Sequence, residues 1–156
     1  MDLDTLLNKN QKEAATYLDS HLRIIAGAGS GKTRVVTYRI AHLIQDIGID
    51  PRSILAITFT NKAANEMKER VNEIVGIHGS GTLICTIHSL CVRLLRQHIN
   101  VLNYPSNFTI MDEEDQKALI KKLYTQLEID AKVISIKSMI NTISSYKTAR
   151  VSPQRA

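Results

Sequence analysis

The stretch "LRIIAGAGSGKTRVVTYRIAHLIQ" (residues 22–45) decides the fold. "LRIIA" (22–26) is an apolar run of strand type, and Val35, Val36, Ile40, Leu43 and Ile44 recur at a spacing that lines one face of a helix over 32–45. Between them stand Gly27, Ala28, Gly29, Ser30 and Gly31. A loop that turns several backbone N–H groups onto phosphate oxygens must carry small side chains or none, and the helix after it must present its positive N-terminus. In such a cradle Lys32 reaches the β- and γ-phosphates and the Thr33 hydroxyl takes a magnesium position. The strict pattern places glycine at position 26; Ala26 is the smallest substitute, at the outermost position, where the loop only closes. The bland alternative is a glycine-rich turn that caps a helix, and the strand–loop–helix context weighs against it.

The same alternation continues along the chain. "NKNQKEAATYL" (8–18) has helical composition with Asn8 or Asn10 as N-cap, "ILAITF" (54–59) reads as a second buried strand, and "KAANEMKERVNEIV" (62–75) as a helix. "LICTI" (83–87) reads as a third strand, leading into the helix "SLCVRLLRQHI" (89–99). Three strand-to-helix alternations predict an α/β domain with a mostly parallel sheet covered on both faces, whose ligands bind at the carboxyl ends of the strands. From about residue 111 only helices are expected, over 111–129 with Asp112 as N-cap and over 135–149. Residues 1–110 and 111–156 are therefore expected to form two regions.

At 156 residues, 44% hydrophobic and 22% charged, the chain is a folding sequence with room for one ordinary domain and part of another. No apolar run reaches the roughly 20 residues that span a bilayer, and "MDLDTLLNKNQ" (1–11) lacks the basic and apolar regions of a signal peptide. A cytoplasmic protein without a membrane partner is expected. Cys85 and Cys91 suit neither a disulfide framework nor a zinc site, and His21, His42, His78 and His98 carry no functional pattern. The net charge of +5 permits a polyanion partner. It is spread, with 12 basic against 9 acidic residues through residue 110 and 8 against 6 after it, so no single tail does the binding.

Four segments in order carry a resemblance to a known family. "LNKNQKEA" (7–14), "AGAGSGKTRVV" (26–36), "ILAITFTNKAANEMKERV" (54–71) and "LICTIHSLCVRLLR" (83–96) resemble the Q motif and motifs I, Ia and Ib of the UvrD/PcrA/Rep family of superfamily 1 DNA helicases, in which Ala at position 26 is ordinary. The resemblance covers essentially the whole chain. It implies an incomplete RecA-like phosphate-loop core, followed by the start of an inserted helical subdomain. It also implies ATP and Mg2+ as cofactors, single-stranded DNA and duplex junctions as partners, and 3′ to 5′ movement in repair or replication by a monomer.

The residues suit those roles. Gln11 is an amide that donates and accepts at once and can read the adenine edge, and Arg34 matches a family arginine beside the nucleotide. Without the resemblance both would read as surface residues of helices. Phe59, with Thr60, Asn61 and Lys62, combines an aromatic ring with polar donors at a strand end, as a single-strand track requires. Core packing is the alternative for the ring. Thr86, His88 and Ser89 stand where a strand meets a helix N-terminus, an anion-favouring place that motif Ib uses for the DNA backbone.

Hydrolysis of a nucleoside triphosphate needs a carboxylate for magnesium, an acidic group to activate water, and arginines for the developing charge. In the family these belong to motif II and to later motifs on a second RecA-like domain. The acidic cluster "DEED" (112–115) fits a helix start instead. The chain is thus expected to be an N-terminal helicase segment that needs the remaining helicase domains of its parent and does not turn over ATP efficiently alone. Two alternatives remain at this level. One is a nucleotide- or single-strand-binding module without turnover. The other is a small phosphate-loop kinase or nuclease accessory, which the segments around Phe59 and His88 argue against.

Overall fold

Asp2 and Asn8 start the first two helices of the computed structural model, which describes residues 1–155. Ala156, the last residue of the expected helical region, lies outside them. In α1 (Leu3–Leu6) the Asp2 carboxylate accepts from the Asp4 N–H. In α2 (Lys9–Thr16) Asn8 and Gln11 form a reciprocal capping box. Gly31, at φ 84°, makes the left-handed turn into α3 (Lys32–Gln45), a conformation glycine adopts without the Cβ penalty. The apolar stripe of α3 behaves as its spacing requires, with Val35, Ile40, Ala41 and Ile44 buried.

β1 (Leu55–Thr58) follows a short 3-10 turn at Pro51–Ser53. α4 (Asn61–Val75) then crosses to β2 (Leu83–Thr86), which lies parallel to β1 in the register Leu55↔Leu83 through Thr58↔Thr86. Parallel neighbours cannot be joined by a tight turn, and α4 is the crossover that this pairing demands. α5 (Ile87–His98) begins directly at the end of β2 because the Thr86 hydroxyl accepts from the Ser89 N–H and caps it. One core joins α3, α4 and the strands: Ile40, Ile44, Ala56, Met67, Val71 and Ile84 pack together in it. A smaller cluster of Leu3, Leu7, Ala15 and Val35 seats α1 and α2 on α3.

Two expectations are corrected. Residues 21–27 carry no regular structure, so the strand expected at 22–26 is not formed, and the sheet among the described residues has two strands rather than three. Composition makes a segment fit for a strand, but only a neighbour offering a ladder of N–H and C=O groups makes it one. β1 and β2 pair with each other, while Ile25 is left 82% exposed. The sheet is also covered on one face instead of both. Ala56 and Ile84 are buried against the helices, whereas Leu55 and Ile57 on the opposite face of β1 stay about half exposed, at 49% and 47%.

The chain divides into two compact units, Met1–Ser106 and Asn107–Ala156. In the second, α6 (Glu113–Gln126) begins at Asp112, whose carboxylate accepts from the N–H groups of Glu114 and Asp115. Three acidic residues in its first turn complement the helix dipole, which is the part "DEED" plays here. α7 (Ile136–Thr148) starts at Ser135 and packs beside α6, whose Ile120 and Tyr124 are the buried residues of the pair.

Candidate functional site

The glycine loop is built as a cradle. Residues Ala26 to Ser30 are exposed, and Gly29 and Gly31 hold φ values of 74° and 84° that only residues without a Cβ adopt easily. A Cβ on Gly27 or Gly29 would meet nothing within 4 Å. The Ser30 hydroxyl donates back to the Gly27 carbonyl at 2.8 Å and tightens the turn. Lys32 folds across the mouth, its Nζ donating to the carbonyls of Ala26 and Gly27 at 2.7 Å each. An ammonium has three donors, so this one is held where an incoming anion would compete for it. Thr33 is exposed in the first turn of α3, and its carbonyl takes the Thr37 hydroxyl at 3.0 Å.

Gln11 reaches the loop from α2. Its Nε2 donates to the Ser30 carbonyl at 3.0 Å, and its Oε1 accepts from the Asn8 N–H at 3.1 Å. Arg34 takes a different path: Nη2 donates to the Leu6 carbonyl at 2.8 Å, and the guanidinium lies 5.5 Å from the centre of the Tyr38 ring. One arm of its fork thus ties α1 to α3, and the other N–H groups remain on offer.

The carboxyl edge of the sheet brings the other residues together. Thr58 and Thr86 are paired, so the segments after β1 and β2 leave the sheet side by side. Phe59 is 96% exposed, which removes core packing as its role. The Thr60 hydroxyl accepts from the Ala63 N–H at 3.2 Å and caps α4, leaving Asn61 and Lys62 exposed in the first turn. Thr86 is buried at 5% and serves as the cap of α5, bonded to the Ser89 hydroxyl at 2.9 Å, while His88 and Ser89 face solvent. Two hydroxyls in these motifs therefore set helix starts, and the exposed groups beside them are aimed by those caps.

Lys32 and Thr33 meet Thr58, Phe59 and Thr60 along one cleft of about 560 Å3 between α3, β1 and α4, with an apolar floor that includes Val36 and Met67. Arg39 also lines this cleft, and its Nη1 donates to the carbonyls of Ala14, Ala15 and Tyr17, closing the C-terminal end of α2 onto α3. Motif reading passes over Arg39; its place seven residues, or two turns, after Lys32 is the signal that puts both on one helix face. The Ser30 carbonyl was also invisible to residue type, being a backbone group. Among the described residues no group of three His, Cys, Asp or Glu side chains could hold a metal ion, and no helix is long and apolar enough to cross a membrane.

Residues 7–156 match the family model described as the UvrD/REP helicase N-terminal domain. The ATP-dependent DNA helicase PcrA of Bacillus subtilis is 47% identical over 148 residues, 95% of this chain and 20% of that protein. The helicases of the same name from Staphylococcus aureus and Staphylococcus epidermidis are each 45% identical over 150 residues, 96% of this chain and 20% and 21% of theirs. The chain spans about a fifth of the length of the curated relatives it matches.

Proposed function

The chain belongs to the UvrD/REP helicase family through its N-terminal domain, and from that membership we propose that it is the ATP-binding segment of a DNA helicase that moves 3′ to 5′ on single-stranded DNA in the cytoplasm. The observation that carries this reading is the shared cleft: the phosphate loop's Lys32 and Thr33 and the exposed Phe59 segment line the same depression.

The open loop, its left-handed glycines and the α3 N-terminus fit a triphosphate. ATP bound there, with Mg2+, supplies the charge the loop recognises and the free energy that drives movement. Lys32 would turn from its two loop carbonyls to phosphate oxygens, backbone N–H groups of the glycine loop would provide further donors, and the Thr33 hydroxyl would serve the metal. Gln11 offers its amide to the adenine, and Arg34 adds positive charge beside the loop. At the sheet edge Phe59 stacks on a base, while Thr60, Asn61, Lys62, His88 and Ser89, with Thr86 holding its helix start, engage the DNA backbone. Residues 111–156 begin the family's inserted helical subdomain.

Because the chain covers about a fifth of its relatives' length, we place the groups that activate water and neutralise the transition state in the remaining helicase domains. The chain alone then binds nucleotide weakly and neither hydrolyses it efficiently nor unwinds DNA. The test is Lys32→Ala in the full helicase. ATP-driven unwinding is expected to be lost while most single-strand binding remains, and unimpaired unwinding overturns the assignment of the loop. Strong Lys32-dependent ATPase activity from the 156 residues alone would remove the claim of inactivity. A second reading, a binding module without turnover, is favoured by the chain's own complete cradle; calorimetry with a non-hydrolysable ATP analogue and with an oligonucleotide measures each affinity.

A further inference from the structure

We propose that Asn8 and the Ser30 carbonyl lock the carboxamide of Gln11 in one orientation, and that this lock, rather than Gln11 alone, sets the preference of the site for adenine. The inference rests on the reading above that Gln11 faces the base. A carboxamide offers two N–H donors and an oxygen with two lone pairs. Here one donor is used on the Ser30 carbonyl at 3.0 Å and one lone pair on the Asn8 N–H at 3.1 Å. A half-turn of the amide would set Nε2 against an N–H and Oε1 against a carbonyl. Both contacts would then be between like poles, so only one orientation is allowed.

What remains unused is one N–H and one lone pair of the same carboxamide. Adenine presents N7 as an acceptor next to its N6 donor, which complements such a pair, whereas guanine presents N7 and O6, two acceptors, and sets O6 against Oε1. A freely turning amide would still favour adenine less well, because its donor and acceptor would not be held in register. The Asn8 side chain does not face the base. It accepts from the Gln11 N–H at 2.9 Å and so holds the first turn of α2, which keeps its own amide against Oε1. Asn8 is thus a positioning residue. Gly31 leaves the room the lock needs, since a Cβ there would stand 2.8 Å from Nε2.

The experiment measures binding of non-hydrolysable ATP and GTP analogues and of inorganic tripolyphosphate to the chain, beside nuclear magnetic resonance of the Gln11 side-chain amide. The native chain is expected to prefer the adenine analogue by about tenfold. Gln11→Ala and Asn8→Ala each remove most of that preference, read as the ratio of the two analogues' affinities beside that for tripolyphosphate. Asn8→Asp, which keeps the capping oxygen, restores it, and the double variant is no worse than Gln11→Ala. The Gln11 amide protons are expected to be ordered in the native chain and averaged in Asn8→Ala. The lock is overturned if Asn8→Ala keeps the native preference, weakens all three ligands alike, or adds to Gln11→Ala, or if the native amide is already averaged. If Gln11→Ala itself keeps the preference, or no ligand binds, the adenine reading falls instead, and the resonance measurement still decides whether the lock exists.

Discussion

At the scale of single residues, exposure separates functional groups from structural ones. Phe59 is a large aromatic side chain left 96% in solvent beside a loop that binds phosphate in our proposal. Phe59→Ala should therefore leave the unfolding midpoint unchanged and weaken binding of a short single-stranded oligonucleotide by about tenfold, the worth of one stacked base. Fluorescence anisotropy and urea titration read the two effects, and a loss of stability without loss of affinity would make the ring structural. Gly31 is bound from two sides, by its φ of 84° and by the Gln11 amide 2.8 Å from where a Cβ would stand. Gly31→Ala should abolish nucleotide binding while circular dichroism shows the helices intact.

Elements in this chain are started by named side chains, and the energetic consequences follow from the caps. Thr86→Ala removes the acceptor for the Ser89 N–H and should cost about 1 kcal/mol in urea unfolding. Any DNA-binding loss in that variant would come through the displaced start of α5, because the Thr86 side chain is buried. At the other end of α3, hydrogen bonds from His42, and then from the Met1 amino group, hold the Asp46 carboxyl below its ordinary value of 3.8. A carboxyl lowered on folding contributes stability that is complete above its unfolded value and is lost as pH falls through the folded one. Stability should accordingly drop below about pH 4, and Asp46→Asn should flatten that acid limb in thermal unfolding measured from pH 6 to pH 2.5.

At the scale of the whole molecule the decisive feature is that the sheet among the described residues has two strands where three strand-like runs exist. The amide of Ala56 faces β2 in a paired ladder over the α3 and α4 core, whereas 21–27 has none. Hydrogen exchange should be fast at Ile24 and Ile25 and slow at Ala56; protection at Ile24 equal to that of Ala56 would mean a third strand is formed. The sequence by itself determined the order of the elements and the place of the glycine loop. Helical stripes such as Val35, Ile40 and Ile44, caps such as Asn8 and Asp112, and small residues at 27–31 are local properties, readable from spacing and residue type. Tertiary structure alone decided which strand-like run is paired, that Phe59 is bare, that the Thr86 side chain is buried, and that Gln11 is tied to the Ser30 carbonyl. Each of these depends on a partner distant in the chain or on a backbone group, and neither a ladder neighbour nor a carbonyl's direction is written in the identity of a residue.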